Sequence, residues 1–277
     1  MGQTVLEILT APVLVALATL VGRRWGSRAG GLISAFPAVV GPVLLIVAQQ
    51  RGDLAAERAA RATLLGLVAL SGFVLAYARS ARGRRWPASL AAGWASAIVA
   101  ATIAGWSLGG AGLPVALTAA VVSIALARSA LPRRADQPHL AASTISRGEV
   151  AVRMALTAAL IVLLTVASER LGPVVGGMLA ALPVLASVLA VFTHRGHGSD
   201  AAIGLLGGML TGMAGFVAFC AAVALLAAPA GTAVAFAVAT VSAVAAQALT
   251  LRGGAGLTGS GIHRPATSCS ASEASSA

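Results

Sequence analysis

The amino-acid sequence predicts an all-α protein, a polytopic membrane helix bundle of about nine spans built from two inverted repeats. Three observations lead there. Of 277 residues, 58% are apolar and only 10% are charged, with a mean hydropathy of +0.92, whereas a soluble domain carries about 25% charge. The apolar residues fall in successive runs long enough to cross a bilayer. A Gly-Gly helix followed by proline occurs twice, once in each half of the chain. Soluble enzymes, coiled coils and disordered chains are excluded, because this much apolar surface exceeds what one water-facing core can hide. The 32 glycines suit helices that must approach closely where lipid supplies no hydrophobic force between them.

Taking the runs in order, spans are expected at 5–21, 30–48, 62–78, 87–106 and 112–127. A polar stretch with Pro132, Arg133, Arg134, Asp136 and Pro138 then interrupts the chain, and four more runs follow at 150–167, 176–193, 201–227 and 230–251. The expected organisation is a first repeat over 1–130, a cytoplasmic connecting loop over 131–148, a second inverted repeat over 149–251, and a disordered cytoplasmic tail over 252–277. The tail from Thr258 is rich in Ser, Thr, Gly and Ala with no apolar period, which is the composition of a chain that buries too little to fold. The first run has its arginines after it rather than before it, so it reads as a retained helix and not a cleaved signal.

The net charge is +11, and all 19 basic residues are arginine. In a soluble protein this would suggest nucleic acid. Here the arginines sit between apolar runs: 14 fall in the loops after spans one, three, five and seven and in the tail, against 4 on the opposite face. The arginine-rich face is expected to be cytoplasmic, placing the N-terminus outside and the C-terminus inside a bacterial inner membrane. Trp25, Trp86 and Trp106 stand at expected span boundaries, where amphipathic rings anchor at headgroup level. Expected partners are therefore the lipid bilayer and a small solute, with no nucleic acid, and with a coupling ion and a homo-oligomer left open.

Cys220 lies in an apolar run and Cys269 in the tail, so no disulfide framework follows. His194, His197 and Asp200 read as a solvated loop, since a metal centre would want better-spaced ligands and a fourth donor. No phosphate loop, nucleophile elbow or paired carboxylate is present. The expectation is a protein without catalytic residues, cofactor or metal, and not an enzyme.

The repeat appears on laying the second half over the first with a shift of about 146. Gly30-Gly31-Leu32-Ile33-Ser34-Ala35-Phe36-Pro37 falls on Gly176-Gly177-Met178-Leu179-Ala180-Ala181-Leu182-Pro183. Further matches pair Arg51-Gly52 with Arg195-Gly196 and Ser71-Gly72-Phe73-Val74 with Ala214-Gly215-Phe216-Val217. Five spans separate the two starts, and an odd number inverts the second copy, so the fifth span serves as a connector. Inverted repeats rocking about a pseudo-two-fold axis in the membrane plane give alternating access.

A proline inside a helix removes an amide donor and frees a carbonyl at membrane depth. Broken helices at matching positions of two halves point to a transporter's binding site. The candidate substrate-binding residues are thus Gly30, Gly31, Ser34, Pro37, Gly41 and Pro42 in the second span, and Gly176, Gly177, Pro183 and Ser187 in the seventh. Ser34 and Ser187 lie near the prolines and add hydroxyl ligands. Glu7, Glu149, Arg153 and Glu169 all sit near span ends, so no central carboxylate exists to relay protons or pair a charged substrate. Gln247, Thr211, Ser242, Ser96, Thr102 and Thr165 are polar groups within spans, which a helical carbonyl commonly satisfies.

The segments from Gly30 to Gly52 and from Gly176 to Gly198, with their duplicated Gly-Gly and Pro, resemble segments of uncharacterised multi-pass bacterial integral membrane proteins. The layout of two inverted halves is also similar to the drug/metabolite transporter superfamily, which implies movement of small metabolites or export of drugs. The expected function is a small secondary transporter or exporter of a neutral or weakly polar solute. A non-catalytic membrane scaffold or accessory subunit is the alternative, in which the glycine faces dock another protein.

Overall fold

The computed structural model of the chain describes residues 27–35, 40–132 and 183–256, together with Leu17, residues 19–21, Arg24 and five single positions between 148 and 159. The expected spans at 5–21 and 150–167, the arginine-rich loop, Pro37, Gly176, Gly177 and the tail beyond 256 lie wholly or almost wholly outside the described residues. Within them the chain is helical and contains no strand.

The helices are α1 (Ser27–Ser34), α2 (Val40–Arg51), α3 (Asp53–Ala81), α4 (Trp86–Leu108), α5 (Leu113–Ser129), α6 (Val184–Ala230) and α7 (Thr232–Gly256). Four of them, α3, α4, α6 and α7, are long and apolar enough to cross a membrane, and α5 is a shorter apolar helix. Local chemistry sets their ends. Asp53 opens α3 and Arg79 lies in its last turn, each charge opposing the helix dipole at its terminus. Pro87 and Pro114 sit in the first turns of α4 and α5, where the missing amide would have had no partner.

The structure departs from the expected spans in three places. The second span is two helices, with α1 ending at Ser34 and α2 beginning at Val40, on either side of Pro37. Helix α3 starts at Asp53, nine residues before the expected 62, because its polar first turns are amphipathic and carry an i,i+4 pair, Glu57 to Arg61 at 3.7 Å. The stretch 194–200, expected as a loop, is helical apart from a kink at Gly198 (φ 83°, ψ 176°) that divides α6.

The core forms where α3 meets α4, α5 and α6. Leu64, Phe73, Val74 and Tyr77 of α3 are buried against Leu206, Leu210, Met213 and Val223 of α6. The outer faces of α4, α5 and α7 expose Ile98, Ile103, Leu126, Val241 and Leu249, as lipid-facing helices do.

At an offset of 146 positions several features of the two halves coincide, whereas the sequence match of 71–74 with 214–217 runs at 143. The buried residues Ala56, Ala60, Leu64, Phe73, Val74 and Tyr77 of α3 fall on Ala202, Leu206, Leu210, Phe219, Cys220 and Val223 of α6, all of them buried too. Gly52 (φ 84°, ψ 169°) falls on Gly198 (φ 83°, ψ 176°), and the first residues of α4 and α7, Trp86 and Thr232, also correspond. In the run Arg195-Gly196-His197-Gly198, residue identity cannot reveal which glycine makes the left-handed turn, whereas the backbone places it at Gly198.

The long segments of α3 and α6 run antiparallel. Asp53, at the start of α3, accepts a hydrogen bond from the Thr232 hydroxyl just beyond the end of α6. Near the other end of α3, the Tyr77 hydroxyl meets His194 Nδ1 at 3.2 Å, and Arg195 lies over the Trp86 ring at 5.4 Å.

Candidate functional site

The first Gly-Gly helix is seated directly on α6. A Cβ on Gly31 would stand 1.8 Å from the Leu205 carbonyl oxygen and 2.9 Å from the Met209 nitrogen, so backbone touches backbone and no side chain fits. The contact is reciprocal: a Cβ on Gly212 would be 2.6 Å from the Leu32 carbonyl oxygen and 2.8 Å from the Ala35 methyl. Glycine on both surfaces lets the helix axes approach this closely.

The last turn of any helix leaves carbonyls without intrahelical partners, and in α1 each of two carbonyls has found one. Gly31 O accepts from the Ser34 hydroxyl at 2.7 Å and from Ala35 N at 3.3 Å. Leu32 O accepts from Gln247 Nε2 of α7 at 2.9 Å. The other amide atom, Gln247 Oε1, is buried and has no hydrogen-bond partner among the described residues. It faces Gly215, where a Cβ would come within 2.6 Å of it. A buried acceptor left unsatisfied costs about 1–3 kcal/mol.

The seventh expected span is described from Pro183 onward. Pro183 immediately precedes α6, with φ −79° and ψ 62°. Its carbonyl accepts from both Ser187 N and Ser187 Oγ, each at 2.8 Å. Ser187 Oγ in turn accepts from Trp94 Nε1 of α4 at 2.8 Å. Gly41, the residue 146 positions before Ser187, packs against the Phe219 ring, with 3.4 Å available to a Cβ.

The structure therefore gathers Gly30, Gly31 and Ser34 at the junction of α1, α6 and α7, all three of them buried. Ser187 and Pro183 lie instead against α4. The two serines bond within their own segments and not to one another. Pro42 lies within α2, while Pro37, Gly176 and Gly177 lie outside the described residues. Sequence reasoning did not single out Trp94 or Gly212, and named Gly215 only within the repeat. The glycines at 212 and 215 share a face of one helix three residues apart, a signal that was present but lost among many glycines. Nothing in the sequence marks Trp94 as the partner of a serine 93 positions away.

Comparison of the chain with protein-family models, with curated proteins and with solved structures finds no match. What the junction offers, among the described residues, is two backbone carbonyls and a serine hydroxyl that are already paired and one buried amide oxygen that is not.

Proposed function

We propose that this chain is a small secondary transporter or exporter of a neutral, hydrogen-bond-donating solute, working by alternating access between two inverted repeats. The observation that carries the reading is the 146-residue offset at which two positive-φ glycines and a run of buried positions on antiparallel helices coincide. Such a relationship is what a pseudo-two-fold axis in the membrane plane produces.

Two further features support it. The segments are exchanged between halves: α1 of the first half rests on α6 of the second and meets α7 through Gln247, while the opening of α6 meets α3 and α4 of the first through His194 and Ser187. Rocking one half against the other would shear both segments together. The Gln247 Oε1 beside α1 offers an acceptor to a donor group on the solute, and the described residues named at this junction carry no charge, which suits a solute that is itself uncharged. The arginine distribution supports a cytoplasmic C-terminus.

The test is solute flux by purified protein in sealed liposomes, screened with uncharged polar solutes and with drug-like amines in their neutral form. It is paired with cysteine accessibility along 30–48 and 184–193 in a background lacking Cys220 and Cys269. Saturable flux, with labelling of the two segments from opposite sides, is the expected result. Uniform protection of both segments and no flux with any solute would overturn the reading in favour of a membrane scaffold.

A further inference from the structure

A groove of about 470 Å³ opens between α3, α4 and the start of α5. Its walls are small and apolar, with Ala62, Leu65 and Gly66 on one side and Ala101, Ala104 and Gly105 on the other. A Cβ added to Gly66 or Gly105 would meet nothing within 4 Å, although both glycines lie on membrane-length helices. Ile103 and Val115, beside the groove on α4 and α5, are exposed, so hydrocarbon lies alongside it. Arg58 and Arg61 of α3 border the same groove. An apolar trough thus ends in two guanidinium groups.

The arginines stand at the depth of a lipid headgroup. Helices α3 and α4 pack antiparallel, in a register fixed by two contacts: a Cβ on Gly72 would lie 3.1 Å from Ser96 Oγ, and one on Gly93 would lie 2.8 Å from the Phe73 ring. Carried along both helices, that register sets Arg61 level with Trp106 and Arg58 level with Gly109. Trp106 is 87% exposed near the end of α4, where an amphipathic ring anchors at the membrane interface. Glu57 lies 3.7 Å from Arg61, farther than a hydrogen bond, and both side chains are partly exposed, so the pair holds the guanidinium weakly. Helix α5 opens at the same end with no side chain capping its first turn, which adds partial positive charge to that of the arginines.

We propose that the groove binds one anionic phospholipid, with its phosphate on Arg58 and Arg61 and the first part of an acyl chain laid along Gly66, Ala101 and Gly105. Guanidinium groups pair with phosphate through charge-assisted hydrogen bonds. The trough beside them favours a lipid over a free phosphate ion, which would leave that apolar surface uncovered. The inference goes beyond transport and does not depend on it.

Photoreactive phospholipids with a diazirine in the acyl chain test it, using full-length protein in phosphatidylcholine vesicles and crosslinks mapped by mass spectrometry. A phosphatidylglycerol probe is expected to mark residues 62–66 and 101–105 about tenfold more than a phosphatidylcholine probe of the same chain length, since each arginine near the surface favours anionic lipid. Arg58→Gln with Arg61→Gln should bring the two probes level. Arg58→Lys with Arg61→Lys should keep most of the preference, and Gly66→Leu should fill the groove and lower marking by both probes. Marking of Val121 and Val122, exposed on α5, should stay the same in every variant and reports that the fold is intact. Three outcomes would overturn the proposal. Equal marking of the groove by both probes in all variants would make its occupant ordinary solvating lipid. An unmarked groove beside marked Val121 and Val122 would mean that protein covers it. Loss of the preference with inorganic phosphate, but not with chloride at equal ionic strength, would make the arginines a site for the free ion.

Discussion

The indole Nε1–H of Trp94 donates to Ser187 Oγ at 2.8 Å, and the same serine hydroxyl donates to Pro183 O. One hydroxyl thereby ties α4 to the first turn of α6 and occupies a carbonyl that would otherwise lack a full partner set. Ser187→Ala is expected to leave the indole N–H unsatisfied at a site largely closed to water, lowering stability by about 1–3 kcal/mol. Trp94→Phe removes the donor together with the need for it, so the double variant should cost about 1 kcal/mol less than the sum of the singles. Thermal unfolding in detergent across the four proteins measures the coupling, and strict additivity would show that the bond contributes nothing.

Gly31→Ala places a methyl 1.8 Å from the Leu205 carbonyl oxygen, a distance no rotamer can relieve because the obstacle is backbone. Helix α1 must move off α6, at a cost of about 1–3 kcal/mol, and Gln247 then loses its grip on Leu32 O. Gly83→Ala, in an exposed turn where a Cβ meets nothing within 4 Å, should change stability by no more than about 0.5 kcal/mol. Equal behaviour of the two variants would mean that α1 is not seated as described.

How far the sequence foretold this structure depends on the distance over which each feature is decided. Helices α4 and α5 were legible because hydropathy over a window of about 20 residues decides them, and Pro37, which removes a helical donor, falls in the interval between the end of α1 and the start of α2. The early start of α3 was hidden, since Asp53, Glu57, Arg58 and Arg61 read as a polar loop until the Glu57–Arg61 pair shows them on one helical face. The residues 194–200 misled for the same reason: histidines, arginine and aspartate resemble a loop, yet they lie on helix around a single glycine turn. At the candidate site, Gly31 and Ser34 were legible as types, but the carbonyl that demands the glycine belongs to Leu205 and the amide that meets Leu32 belongs to Gln247, 215 positions away. Local pattern carries no information about such contacts.

The two left-handed turns make the register of the repeat testable by backbone conformation alone. Gly52 and Gly198 have φ 84° and 83°, and a Cβ at either would meet nothing within 4 Å, so any penalty on substitution is conformational and not steric crowding. Gly52→Ala and Gly198→Ala should each lose about 1–3 kcal/mol, and asparagine at either position should lose as much, since a positive φ with ψ near 180° is open essentially to glycine alone. Gly196→Ala lies in helix and should be neutral or gain up to about 1 kcal/mol. Melting temperatures of the three alanine variants decide it: a penalty at 196 with none at 198 would restore the register read from residue identity.

Gln247 is where stability and function should separate. Gln247→Leu removes the bond to Leu32 O together with the buried, unpartnered Oε1, and these two losses oppose one another: a hydrogen bond contributes about 0.5–1.5 kcal/mol, and an unsatisfied acceptor costs about as much. The unfolding midpoint should therefore move little. Flux should fall by about tenfold or more, because the solute loses the acceptor that would match its donor, a difference of about 1.4 kcal/mol. Gln247→Glu keeps an acceptor but cannot donate to Leu32 O when ionised, and it sets a carboxylate against a carbonyl, so it should weaken the seating of α1 and be the less stable of the two. Flux in liposomes beside thermal unfolding in the same preparations reads both. A leucine variant that transports as well as the parent would move the binding site away from the junction of α1, α6 and α7, whereas one that is stable and inactive would place the free amide oxygen on the path of the solute.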